Sequence, residues 1–348
     1  MIRKILISTA VMVGVATLAL SQTGCSRASP APNGVVFTAD EKGKSISVVD
    51  PDTGRVTTTP VRVAPHNVQT SRDGKSLYVV GSLMGDGEGM TPGMSGKGRL
   101  LVFNSTAVAS GPVADIEVGR MPAHVIVDDP ARRAYVTNGG DNVVLVIDLS
   151  SAKIAASIKV GSSPHGLRMS PDGQTIYVAN TGDGTVSVIN VANLAEVTRI
   201  PVGKGPVQVA FTPDGRRSYV TLRDENSAAV IDTTDRKMIA KIPVGSGPIQ
   251  VFALPNGRDI YVANQGTEAA PGNTVSVIDT ASQKVVAEIV TGAGAHGVVV
   301  SSGGGDQVFV SNSFANTVSV IDSASRKVVR NIAVGAGPGG ITFASRNK

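Results

Sequence analysis

From residue 35 onward the chain reads as short apolar, β-branched runs separated by clusters of Gly, Pro, Asn and Asp. A Gly-x-x-Pro turn opens onto a run such as Val207-Gln208-Val209-Ala210-Phe211, and Pro213-Asp214-Gly215 then reverses the chain. A run centred on Tyr-Val comes next, followed by a Gly/Asn/Asp loop. A run of the Thr-Val-Ser-Val-Ile-Asp type succeeds it at 185–190, 274–279 and 317–322, with Asn190 ending the first. A last run, as at 284–289, leads into the next Gly-x-x-Pro. Four short runs punctuated in this way predict one four-stranded antiparallel sheet.

The unit recurs. Clear Gly-x-x-Pro turns end at Pro164, Pro206, Pro248 and Pro338, and weaker copies end at Pro65, Pro122 and Ala295. Successive spacings are 57, 42, 42, 42, 47 and 43 residues, so a unit of about 42 residues occurs seven times. The last turn is followed by only one strand, 341–344, whereas the first repeat material, 35–63, supplies three strands and lacks a first. The expected fold is therefore all-β: a seven-bladed β-propeller over residues 35–345. Its C-terminal strand would complete a blade begun at the N-terminus and so remove the open edges.

Composition sharpens this picture at three points. Aromatic residues are only 3% of the chain, yet Phe37, Tyr78, Tyr135, Tyr177, Tyr219, Tyr261 and Phe309 hold one equivalent position in seven units. Such repetition points to packing between blades rather than a ligand-stacking surface. Formal net charge is +5, and Arg3 and Lys4 fall in a segment expected to be removed, so no polybasic footprint for nucleic acid remains. The single cysteine excludes a disulfide framework, a Cys-x-x-Cys redox motif and a thiolate metal cluster.

That cysteine belongs to the N-terminal segment. Arg3 and Lys4 precede an apolar stretch over 5–20, too short for a stable membrane span, so residues 1–24 read as an export signal. Gly24-Cys25 resembles a bacterial lipoprotein cleavage box, although Gln22 stands where such boxes usually carry leucine. Lipidation of Cys25 is the expectation, with ordinary secretion as the alternative. Residues 25–34 would form a tether. The folded part is then expected in the periplasm or at the cell surface, as a monomer held to a membrane only through its lipid.

Tyr135-Val136-Thr137-Asn138, Tyr177-Val178-Ala179-Asn180 and Tyr261-Val262-Ala263-Asn264 resemble the motif that names the YVTN-repeat β-propellers. The resemblance covers nearly all of 35–345 and is specific for fold. It implies little about activity, because propellers of this kind range from binding proteins to parts of nitrite and nitrous-oxide reductases and to lactonases.

All four histidines lie in the turns that join blades. His66, His165 and His296 share one register, and His124 sits one residue later than Ala123, the equivalent position in its blade. In a propeller these turns lead into the innermost strands at the mouth of the central channel. The three in-register imidazoles, well spread around seven blades, could meet over the axis as a trigonal metal site. Alternatively they could bond neighbouring backbone and lock adjacent blades. The 81–99 loop carries 15 extra residues and projects Met84, Met90 and Met94 towards the same face, with Met121 in a joining turn. Imidazole with thioether favours copper, particularly Cu(I). A flexible glycine-rich loop with surface methionines is the plainer account. A shorter insertion at 266–272, with Glu268, could wall the mouth on its other side.

Asn67, Gln208 and Gln250 occupy matching places just inside the turns. They could contact a ligand in the channel or satisfy buried backbone. Asp148, Asp232, Asp279 and Asp322 end one strand in each of four blades, which suits turn-capping rather than catalysis. No Gly-x-Ser-x-Gly elbow and no Cys-x-x-Cys-His haem motif occur. The reading is a binding protein with an unidentified small ligand or a metal, copper favoured, at a histidine-ringed mouth. A lactonase-like metal-dependent hydrolase and a metal-independent interaction scaffold for an envelope protein are the alternatives.

Overall fold

In the computed structural model, which describes residues 34–83, 97–302 and 306–346, the repeats form seven four-stranded antiparallel sheets. Six are consecutive in the chain and open with the inner strands Ala64–Thr70, Pro122–Asp128, Pro164–Met169, Pro206–Phe211, Pro248–Ala253 and Ala295–Val300. These are blades one to six. The seventh joins the two ends of the propeller: Pro338–Ser345 pairs antiparallel with Gly34–Asp40, placing Val36 opposite Phe343. The expected closure is thus present. Residues 1–33, with the predicted signal and Cys25, lie outside the described residues, as do Met84, Met90 and Met94. Among the described residues no helix is long and apolar enough to cross a membrane.

The core lies between blades rather than within them. One cluster joins Tyr177, Val186, Val188 and Ile200 of the third blade to Val209, Phe211, Val220 and Leu222 of the fourth. The seven repeated aromatics are all buried, none more than 6% exposed. Tyr177 meets Phe211 edge to face with centroids 4.9 Å apart, so the ladder packs neighbouring sheets together. The recurrent aspartates cap turns as expected. Asp148 Oδ1 accepts from the amides of Ser150 and Ser151, and Asp232 Oδ1 from those of Thr234 and Asp235.

Two motifs that look separate in sequence form one contact. The Asn of Tyr-Val-x-Asn donates to the Thr and Ser of Thr-Val-Ser: Asn264 Nδ2 reaches Thr274 Oγ1 at 3.0 Å and Ser276 Oγ at 2.9 Å. Ser276 Oγ also accepts from the amide of Gly245, the glycine of the joining turn, at 3.3 Å. A Cβ on Gly245 would stand 2.5 Å from Asn264 Nδ2, which explains why the turn needs glycine there. Asn180 and Asn312 make the same pairs in their blades, and Asp40 takes the asparagine's place in the seventh.

Gly245→Ala should therefore lower stability by about 1–3 kcal/mol through overpacking against Asn264. Urea denaturation followed by circular dichroism would show a lower midpoint. An unchanged midpoint would mean the turn can move aside without loss.

Candidate metal centre at the channel mouth

Each of the seven inner strands carries a one-residue bulge just after its joining turn. In the second blade Pro122 pairs with Asn138 but Val125 pairs with Val136, and the third blade repeats this with Pro164–Asn180 and Leu167–Val178. The closing blade shows the same shift between Thr38 and Asp40. A bulge sets two residues against one on the partner strand and re-aims their side chains. The motif hydroxyl holds it in place: Thr137 Oγ1 accepts from the His124 amide at 3.0 Å and donates to the His165 carbonyl of the next blade at 2.6 Å. Thr221 and Ser311 repeat this bridge, to Ile249 and Gly339.

The histidines converge on these bulges. Ring centroids lie 5.2 Å apart for His66 and His165, 4.9 Å for His124 and His165, and 5.8 Å for His66 and His124. The three that bring their nitrogens within 4.8 Å of one another are His66, His124 and His165, so this cluster could hold a metal ion. The sequence makes all four histidines ligand candidates, with His66, His165 and His296 expected to converge through their shared register. The bulge instead swings His124 in beside its neighbours, while the His296 ring stands 6.4 Å from that of His66.

Hydrogen bonds fix how the rings present themselves. His165 Nδ1 faces the Val207 carbonyl at 3.3 Å. A carbonyl only accepts, so Nδ1 carries the proton and Nε2 presents a lone pair. His66 Nδ1 faces Glu41 Oε2 at 3.2 Å, and the two Nε2 atoms of His66 and His165 are 3.2 Å apart. His124 Nδ1 accepts from the Gln208 side-chain amide at 3.4 Å. The buried Nδ1 of His296 has no hydrogen-bond partner among the described residues. The Gly339 backbone lies near enough to favour its charged form slightly, without hydrogen-bond geometry.

Burial and mutual repulsion set the charges. Desolvation, aided by the charges of His66 and His296, pushes His165 down to about 3. Desolvation and His66 take His296 to about 4. Desolvation, with repulsion from the other three rings and from Arg168, holds His124 well below the ordinary histidine range. In His66 burial also opposes the proton, but the Glu41 charge and hydrogen bond outweigh it and the net shift is upward. Burial likewise raises the Glu41 carboxyl, and the charge and bond of His66 more than reverse this. The side chain of Glu41 is about half exposed, at 47%, so solvent weakens the pair. Near neutral pH three of the four rings are uncharged, the form a metal needs.

Above the cluster opens a cavity of about 690 Å³ lined by His66, His165, His296, Glu41, Met121 and Phe314. Loops after the second strands form its rim, where Lys42 pairs with Glu268 of the 266–272 insertion at 2.8 Å. The insertion therefore contributes to the rim. Met121 lines the cavity, with a left-handed φ of 49°. Of the three channel amides, Asn67 Oδ1 accepts from the Val125 amide at 3.3 Å and Gln208 Oε1 from that of Val209 at 2.8 Å. Gln250 lines the lower channel. Glu41 is the residue the sequence reading passed over. It directly follows Asp40, the fourth position of the motif in its blade, a place that puts it on the rim.

A family described as the YNCE-like beta-propeller matches residues 109–257 and 237–346, more than half of the chain. The chain belongs to that family. No curated protein matches it by sequence. Among solved structures, this YNCE-like propeller is similar to Kuenenia stuttgartiensis hydrazine synthase, at 19% identity and TM-score 0.69, over 83% of this chain and 97% of that one. It is similar to a functionally unknown protein from Desulfotomaculum acetoxidans at 17% identity and TM-score 0.73, over 89% and 98% of the two chains. A provisionally assigned 6-phosphogluconolactonase from Bacteroides fragilis matches at 15% identity and TM-score 0.72, over 91% and 99%. At these identities the likeness concerns fold alone.

The depressed histidines make stability depend on pH. Unfolded, each ring takes up its proton near 6.5, whereas folded His165 does so at about 3 and folded His296 at about 4. Protonation of the unfolded chain thus draws against folding as pH falls from 6.5, and the loss is complete below the folded values. His66 has the opposite sign: its contribution is full below 6.5 and fades as pH rises through its raised value. The metal-free protein should therefore show a melting midpoint that falls as pH drops from 6.5 towards 4. The slope should be shallower in the double variant His165→Gln, His296→Gln. Equal slopes would assign the acid sensitivity to other groups.

Proposed function

We propose that this propeller is a metal-binding protein, with His66, His124 and His165 as ligands and copper as the ion. The observation that carries the reading is the 3.2 Å separation of the Nε2 atoms of His66 and His165, with His124 in the same group. Two nitrogens held about 2.0–2.1 Å from a tetrahedral ion would be about 3.3 Å apart. Each of these two rings also has its Nδ1 held from behind, by the Val207 carbonyl or the Glu41 carboxylate. Such outer partners set the tautomer and orient the ligating nitrogen. Imidazole accepts several transition metals, and thioethers tilt the choice to copper. Met121 on the cavity wall supplies that tilt, and we propose that Met84, Met90 and Met94, which lie outside the described residues, add to it.

A second reading has the metal as a catalyst. Three protein ligands leave a coordination position open to the cavity, whose size suits a small organic molecule. A water there could attack an ester or lactone, the substrate class suggested by the name of the Bacteroides fragilis relative. On either reading we propose an exported protein anchored through a lipid on Cys25. It would act as a monomer on a small ligand or an envelope partner.

Equilibration with copper followed by gel filtration and elemental analysis should return about one copper per chain. His66→Ala with His165→Ala should abolish it. Glu41→Gln should weaken binding by about 10–100-fold while leaving the ligands in place. Copper content at background in the native protein, or unchanged in the double variant, would refute the metal reading. Metal-dependent hydrolysis of a lactone that vanishes in the same variant would select the catalytic reading over storage or transfer.

A further inference from the structure

Farther along the inner strands the channel holds a second cavity, which His124 borders, and its chemistry is different. This cavity of about 340 Å³ has Arg168, Gln69, Gln250, Thr342, Phe252 and Phe343 among its lining residues, with His124 and Gln208 on its border towards the mouth. Among the described residues no aspartate or glutamate lines it. Arg168 projects from the third inner strand, and its guanidinium carbon lies 5.3 Å from the centroid of the Phe252 ring on the fifth. Among the described residues, no carboxylate forms a salt bridge with it. Protein surrounds the group closely enough that desolvation lowers it to about 10, yet it remains partly accessible from the channel.

An arginine is costly to enclose without a counter-charge. The Phe252 ring gives the guanidinium a cation–π contact, and the N–H donors of that group remain available to a planar anion. We propose that this cavity binds a small organic carboxylate, its oxygens on the Arg168 fork and its apolar body against Phe252, Val299 and Phe343. Gln250, whose amide lines the same space, is placed to contribute a further polar contact. His124, one of the three metal-ligand candidates, borders the same cavity, but the proposed contacts are made by Arg168, Phe252, Val299, Phe343 and Gln250 and require no metal.

Titration calorimetry with benzoate, hexanoate and inorganic phosphate would test it on the metal-free protein. Benzoate or hexanoate should bind with one site per chain, more tightly than phosphate. Arg168→Met should weaken that binding about tenfold or more, since a charge-assisted bidentate pair is lost. Without ligand, Arg168→Met should melt at the same temperature as the native protein or higher, because an uncompensated charge has been removed. Failure of both carboxylates to bind, equal binding by the variant, or tighter binding of phosphate would overturn the proposal. So would a variant that melts well below the native protein, which would make Arg168 a structural residue.

Discussion

The rest of the site depends on a single irregularity repeated seven times, the bulge at the start of every inner strand. In a regular strand successive side chains point to opposite faces. At the bulge, two consecutive positions per blade are turned towards the channel, so the propeller carries two rings of channel residues near its mouth. His66, His165 and His296 occupy the first ring, and Asn67, His124, Gln208 and Gln250 the second. A buried amide and a buried carbonyl at the bulge would be expensive if left alone. In three blades the hydroxyl of Thr137, Thr221 or Ser311 satisfies both, and in doing so ties one blade to the next. The scaffold that closes the ring is thus the same one that aims the histidines.

Electrostatics then divide the channel. Three histidines at the mouth are driven neutral by burial and by one another, and the fourth, His66, is shifted the other way because Glu41 stands beside it. Lower down, Arg168 lies in a cavity that no carboxylate lines among the described residues. The mouth therefore presents neutral imidazoles, suited to a cation. The lower cavity presents donors, suited to an anion. The Arg168 charge also helps depress His124, so the two ends sense each other through the low-dielectric interior.

Much of the fold was legible from the residues alone, because a propeller blade is made of local pairings repeated at a fixed period. Strand order, the aromatic ladder and the capping aspartates follow from the repeated unit itself, and closure through 341–344 follows from the strand missing at one end and left over at the other. The face on which the histidines gather was legible for the same reason. The partnership of Gly245 with Asn264 was not, since the two lie far apart in the repeat and each motif has its own plausible explanation as a turn or a strand end.

Sequence by itself determined that there are seven blades, which end joins which, and that every histidine lies where the chain enters an innermost strand. Only the tertiary structure decided that His124 joins His66 and His165, that Glu41 stands behind His66, and that Arg168 faces Phe252 across the channel. The physical reason is that these are relations between blades. Register within a blade follows from strands and turns repeated at a fixed period, but the direction of a side chain into a shared channel depends on a bulge whose extra residue no periodic pattern reveals.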